Sequence, residues 1–204
     1  PNYNSVVSTF CYNIIRDIPI QINNSNDIVK LVYIDDVIKN FIKVMDDPKK
    51  KNQSINYSSV NPVYEITVGN LAKQLHSFKE IRNSKILERV GTGLVRALYS
   101  TYVSYMPKQH FSYPVEAYHD TRGSFVEIFK TPDCGQFSYF TVLPNSIRGG
   151  HYHHSKTEKF LVTKGSACFK FFNLVTSEVY EIIVNSDKPE IVESIPGWVH
   201  SIEN

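Results

Sequence analysis

Residues 149–160 read GGHYHHSKTEKF. Three histidines and one glutamate, His151, His153, His154 and Glu158, fall within eight residues, in a chain that has only seven histidines. Side chains alternate along an extended strand, so His151 and His153 share a face. Glu158 lies across a short turn and can return to that face on the next strand. A second polar group, PGWVHSIEN at 196–204, supplies His200 from far along the chain. Two or three imidazoles and one carboxylate suit a borderline divalent ion, zinc before others, with positions left for water or substrate. The expected ligands are therefore His151, His153, Glu158 and His200. His154 is the spare imidazole: it either replaces His153 or faces a substrate.

The sequence around this stretch is strand-like. From Phe111 onward no amphipathic helix is evident. Short runs rich in Val, Ile, Phe and Tyr (124–129, 137–143, 159–163, 167–172 and 178–184) are broken by Gly, Pro, Asn and Asp. Several short strands at this spacing predict an all-β sandwich or barrel. Lys159 alternates with Glu158 and should point away from the ion. Trp198, the one tryptophan, reads as a core residue.

Upstream, helical and strand patterns alternate. Val6, Val7, Phe10, Cys11, Ile14 and Ile15 recur at helical spacing. A strand is expected over 18–22, and a buried strand over 31–34. Asp35 and Asp36 are expected to cap a helix carrying Val37, Ile38, Phe41, Ile42 and Met45. Thr67 reads as the N-cap of a helix with Leu71, Leu75 and Phe78 inward, and a further helix runs from about Gly93 to Met106. The character changes near Pro107. The boundary is placed at 107–112, giving domains at 1–108 and 109–204.

Composition excludes several classes. The 22 basic and 20 acidic residues leave a net charge of +2, too small a surplus for nucleic acid as main partner. The run Pro48-Lys49-Lys50-Lys51-Asn52 reads as a solvated turn. No apolar run is long enough to span a bilayer, and no signal-peptide pattern stands at the start. Cys11, Cys134 and Cys168 lack CxxC spacing. They read as reduced thiols in small core positions, which points to the cytoplasm. The chain opens at Pro1 rather than Met and stops at Asn204 inside a structured segment, so a fragment of something longer is expected.

The two polar clusters together resemble the paired signature of the cupin superfamily, H-x-H-x(3–4)-E-x6-G followed by P-x-G-x2-H-x3-N. The first half fits from His151 to Gly165. The glycine usual six positions before the first histidine is replaced by Asn145. In the second half Pro196 adjoins Gly197 instead of standing two before it, while Gly197, His200 and Asn204 keep their spacing. The resemblance implies a jelly-roll β-barrel, truncated at its C-terminal end.

The first half, PNYNSVVSTFCYNIIRDIPIQI with LVYIDDVIKNFI, resembles the C-terminal, substrate-binding portion of an extended short-chain dehydrogenase/reductase of Rossmann type. A reductase joined to a cupin resembles the bifunctional capsule-polysaccharide enzymes that make UDP-2-acetamido-2,6-dideoxy-L-talose. FSYPVEAYHDTRGSF, GGHYHHSKTEKFLV and IPGWVHSIEN carry the likeness. It implies a cytoplasmic homodimer or larger assembly acting on a UDP-linked 4-keto-6-deoxy sugar. The cupin domain would epimerise C3, and the reductase would then reduce C4 with NADPH. It also implies that Asn2, Asn4 and Ser5 either contact the nucleotide sugar or cap a helix, and that Arg122, in Asp120-x-Arg122-Gly123, either pairs with a diphosphate or closes a surface ion pair.

No Gly-rich phosphate turn follows a strand here, Gly91-Thr92-Gly93 being a linker. No Tyr-x3-Lys pair occurs in the first hundred residues, and Tyr105 and Lys108 are one position too close. The chain alone is thus expected to have no cofactor-binding residues and not to bind NADPH. The sequence names no catalytic base. It also leaves open whether the ion is catalytic or structural. A non-catalytic sugar-binding or dimerising cupin and a metal-dependent dioxygenase are the competing readings.

Overall fold

The computed structural model describes residues 5–46 and 57–204. Asn2, Asn4 and the run at 48–52 lie outside the described residues. The chain divides into two compact units, Pro1–Pro114 with Phe129–Gln136, and Val115–Ile128 with Phe137–Asn204.

In the first unit, helix α1 (Val6–Ile15) starts at Ser5, whose hydroxyl accepts from the Ser8 amide. Strand β1 (Ile28–Leu31) pairs antiparallel with β2 (Tyr64–Thr67). Between them runs α2 (Ile34–Met45). Helix α3 (Val68–Ser84) follows β2 directly, and α4 (Gly93–Ser104) closes the set. Thr67 ends β2 and caps α3, its hydroxyl accepting from the Asn70 amide at 3.2 Å. That bond satisfies one of the orphan amides of a helix start. The core joins α1, α3 and α4 through Phe10, Cys11, Ile14, Leu71, Leu75, Phe78, Leu98 and Tyr102. Phe78 meets Tyr99 edge-on at 5.1 Å between ring centres, a favoured aromatic geometry.

Three local expectations are corrected. Residues 18–22 form no strand: Pro19 cannot donate to a ladder, and Ile20 and Ile22 instead pack on the helical core from an irregular segment. The expected strand at 31–34 is shifted, because pairing with β2 covers 28–31 and ends there. Tyr33, without a side-chain bond, is the N-cap of α2, so Asp35 and Asp36 lie in its first turn. There they face the positive end of the helix dipole. The apolar stripe of α2 is not inward among the described residues. Ile38, Phe41, Ile42 and Met45 are exposed, Met45 to 76%.

Cys11 is fully buried, and burial pushes its thiol up to about 12. Cys134 departs from the core reading: it is exposed in the turn 132–134, its amide donating to Thr131 Oγ1.

The second unit is all-β, with antiparallel pairing. Its strands are β3 (Ala117–Asp120), β4 (Gly123–Thr131), β5 (Gly135–Phe140), β6 (Ile147–His151), β7 (Glu158–Leu161), β8 (Ser166–Asn173), β9 (Val179–Asn185), β10 (Ile191–Ser194) and β11 (Trp198–Glu203). The ends of β4 and β5 around their shared turn, 129–136, group with the first unit. The largest sheet has the order β6-β11-β8-β9, and β10 pairs with β7 in another. Phe169, Phe171, Val184, Val192 and Ile202 form the core, with Phe140, Phe160 and Trp198 packed on it.

Candidate metal centre

The four expected ligands converge. One donor atom from each of His151, His153, Glu158 and His200 lies within 4.8 Å of all the others. His151 ends β6 and His200 lies on β11, where the two are direct cross-strand partners. Glu158 opens β7, in the two-stranded sheet with β10. His153 is beyond the end of β6, in the connection to β7, so it is not a second strand residue as alternation suggested. A hydrogen bond from the Gly197 amide to the His153 carbonyl, 3.0 Å, holds it in place. Pro196 and Gly197 occupy the two central positions of the turn 195–198, and Gly197 has φ +84°. That backbone is the type II pattern, which favours proline and then glycine at these positions.

A bulge aims His151. On β11, His200 pairs with His151 and Ser201 with Gly149, which leaves Gly150 as the extra residue. Ile202, which is inward and 5% exposed, pairs with Arg148. Cross-strand partners share a face, so Arg148 and His151 both face inward although three positions separate them. Unbulged alternation would put them on opposite faces. Gly149 is required at this crossing: a Cβ there would lie 2.6 Å from the His200 carbonyl oxygen, and its φ is +96°.

The donors are set up for an ion rather than for each other. His153 Nε2 and Glu158 Oε2 are both buried and have no hydrogen-bond partner. Glu158 Oε2 nonetheless lies 3.3 Å from His153 Nε2 and 3.1 Å from His200 Nε2. Orphaned polar atoms are costly to bury, and a shared cation would satisfy both. Ring centres of His151 and His200 are 4.8 Å apart, and those of His151 and His153 are 5.0 Å apart. Phe160 packs 5.8 Å from the His200 ring and lends an apolar wall. Three imidazoles and one carboxylate, closely spaced, fit a zinc-like ion.

The electrostatics agree with ligand duty. Burial lowers the His200 pKa, and the neighbouring His151 and His153 add to this against the pull of Glu158. His200 therefore stays neutral, the form that binds metal. For Glu158, burial pushes the carboxyl up. The hydrogen bond and charge of Lys156 at 2.7 Å, with His200 and His153, outweigh it and hold the group below its ordinary value. His151 is exposed whereas His200 is 2% exposed, so the cluster opens to solvent on the His151 side.

The rest of the signature is structural. Asn145 adopts φ +60°, a left-handed conformation that asparagine tolerates better than most residues, and so stands where the signature has glycine. Asn204 donates from Nδ2 to the Val142 carbonyl at 2.6 Å, and its own carbonyl accepts from the Asn145 amide. Lys159 turns outward to Glu193, 2.6 Å away.

Arg122 and His154 do not join the cluster. Arg122 sits in the turn between β3 and β4, bound to Asp120 at 2.5 Å, and Arg148 reaches the other oxygen of Asp120 at 3.2 Å. The hydrogen bonds and charge of Arg122, helped by Arg148, hold the Asp120 carboxyl below its usual value. His154 packs edge-on against Tyr152 at 5.2 Å.

Two residues were not anticipated. Arg148 became visible only with the bulge. Ser194, 1% exposed, has its Oγ 2.9 Å from His200 Nδ1. The one sequence sign of it was a small polar residue at the inward beat of β10 after Val192.

Comparison with known proteins places the chain. Residues 118–204 match the family described as "Polysaccharide biosynthesis C-terminal domain". The whole chain is 59% identical to a UDP-2-acetamido-2,6-beta-L-arabino-hexul-4-ose reductase of Pseudomonas aeruginosa and covers 54% of that protein. It matches the crystal structure of the capsular polysaccharide assembling protein CapF from Staphylococcus aureus with TM-score 0.90 and 39% identity, over all of this chain and 55% of CapF. A CapF structure with the inhibitor 3-isopropenyl-tropolone matches equally, with 58% of that chain covered. The chain thus spans a little over half the length of these relatives. No described helix is long and apolar enough to cross a membrane. Matched along its full length, the chain is similar in sequence to this UDP-sugar reductase and in sequence and fold to CapF.

Proposed function

We propose that the second unit epimerises C3 of a UDP-linked 4-keto-6-deoxy-N-acetyl sugar for capsular polysaccharide assembly. The first unit is then the substrate-side portion of an extended short-chain reductase, which reduces C4 with NADPH once joined to a dinucleotide-binding half. The observation that carries this reading is the His151, His153, Glu158 and His200 cluster, with two orphaned buried atoms, in a chain 59% identical to a UDP-sugar reductase. The same reading makes the protein a cytoplasmic homodimer or larger.

The chemistry is consistent with the residues. A proton α to a ketone leaves readily only when the enolate is stabilised and a base lies within hydrogen-bond reach. A divalent ion held by the four ligands would supply Lewis-acid polarisation of the ketone oxygen. The chain's part is to keep His200 neutral, to keep Glu158 anionic through Lys156, and to wall one side with Phe160. The open His151 side is where a sugar would enter. Asn2 and Asn4 at the nucleotide sugar, Arg122 at its diphosphate and His154 at the sugar belong to the same proposal.

The test is proton exchange at C3. Incubated in deuterated water with the UDP-4-keto sugar, the chain should wash deuterium into C3. His200→Ala and chelator-treated protein should not. A chain that binds the sugar but leaves C3 unlabelled would be a binding module. Oxygen consumption in its place would indicate a dioxygenase.

A further inference from the structure

We propose that Ser194 is a positioning residue for the ion: its hydroxyl oxygen accepts the Nδ1 proton of His200 and so turns the bare Nε2 toward the other ligands. The inference rests on the metal reading of the cluster.

Three features of the fold carry it. Ser194 is 1% exposed in a slot whose neighbours on the inner face, Val192 and Phe160, are apolar. A hydroxyl taken out of water without a partner costs stability, and the partner here is His200 Nδ1 at 2.9 Å. Ser194 is also the direct cross-strand partner of Glu158. It therefore stands beside one ligand while touching another.

The direction of the bond follows from the far side of the ring. His200 Nε2 lies 3.1 Å from Glu158 Oε2, and that oxygen has no hydrogen-bond partner. An Nε2 proton aimed into the cluster would occupy the space that the orphaned His153 Nε2 and Glu158 Oε2 share. With the proton on Nδ1 and given to Ser194, all four ligands present lone pairs to one point. A ligating imidazole held this way by its second nitrogen is a general device for fixing ring orientation and tautomer.

The turn explains how the two meet. β10 ends at Ser194, and the tight turn 195–198 returns the chain to β11. Six positions in sequence thus become one hydrogen bond across a corner, and the same turn holds His153 through the Gly197 amide.

The experiment uses the whole chain, with zinc as the probe. Zinc affinity is read by competition with a chelating dye, and the His200 Nδ1 proton by NMR of the zinc-loaded protein. Ser194→Ala should weaken zinc binding by about 10- to 100-fold, the usual loss for an outer partner of a ligand. It should also convert a protected, downfield Nδ1 proton into one that exchanges with water. Ser194→Thr and Ser194→Val, isosteric with each other, repeat the comparison with only the hydroxyl removed, which covers an alanine variant that fails to fold. Thr should bind zinc more tightly than Val by the same factor. Equal affinity within either pair, or an unchanged Nδ1 resonance, overturns the inference and leaves the metal reading standing. No zinc binding by the unaltered chain overturns the metal reading itself, and the inference with it.

Discussion

The two units treat their apolar surface differently. In the second, inward side chains from three sheets meet, and even a polar group such as His200 is drawn inside. In the first, α1, α3 and α4 bury a shared core, but α2 buries none of its described residues and leaves Ile38, Phe41, Ile42 and Met45 exposed. The lesson is that periodicity and burial are separate facts. A 3.6-residue pattern says which face of a helix is apolar; only packing says what lies against it.

The largest test of this contrast is core truncation with separate probes. Trp198 packs on the second core, and all described α-helices lie in the first unit. Phe169→Ala should lower the urea stability read by Trp198 fluorescence by about 3–5 kcal/mol, and Leu75→Ala that read by helical circular dichroism by about 2–5 kcal/mol. If either variant shifts both signals equally, the units unfold together and the contrast is weaker than drawn.

Acid should separate them next. His200 and Glu158 both have folded pKa values below their ordinary 6.5 and 4.5. As pH falls, the unfolded chain takes up those protons first, and stability falls with pH wherever that holds. In the metal-free protein the fluorescence transition should be most stable above 6.5. It should weaken below that value through His200, and again below 4.5 through Glu158. His200→Gln should flatten the upper part of the profile. An unchanged profile in that variant would remove His200 as the cause.

Much of this was legible in the residues. That His151, His153, Glu158 and His200 come together was legible in their paired spacing, but strand alternation misplaced His153, which lies past the end of β6. Thr67 was legible because a capping hydroxyl acts on amides only two or three positions away. Ser194 was not, because its partner lies across a turn and hydrogen bonds around corners leave no periodic trace. Arg148 was hidden by the bulge, which reverses the face count. Tyr33 displaced Asp36 as the cap of α2 because the strand before it ended three residues early, which pairing with β2 decides.

Smaller effects complete the comparison. Thr67→Ala should cost the helical transition about 1 kcal/mol, the usual worth of a capping hydroxyl. Phe41→Lys on α2 should change stability by less than about 0.5 kcal/mol, as for other exposed positions, while reducing concentration-dependent light scattering. A loss above about 1 kcal/mol for Phe41→Lys would mean that the stripe is covered after all.

The extra residue at Gly150 has a consequence for how this pocket tolerates changes in chain length. Gly149 stays opposite Ser201 and His151 opposite His200 whether or not a residue lies between them, so the bulge takes up a position without turning the imidazole away. Removing Gly150 alone would restore a regular ladder and keep His151 on the inner face. Any zinc bound by the unaltered chain should then be kept by that shortened protein and lost from His200→Ala.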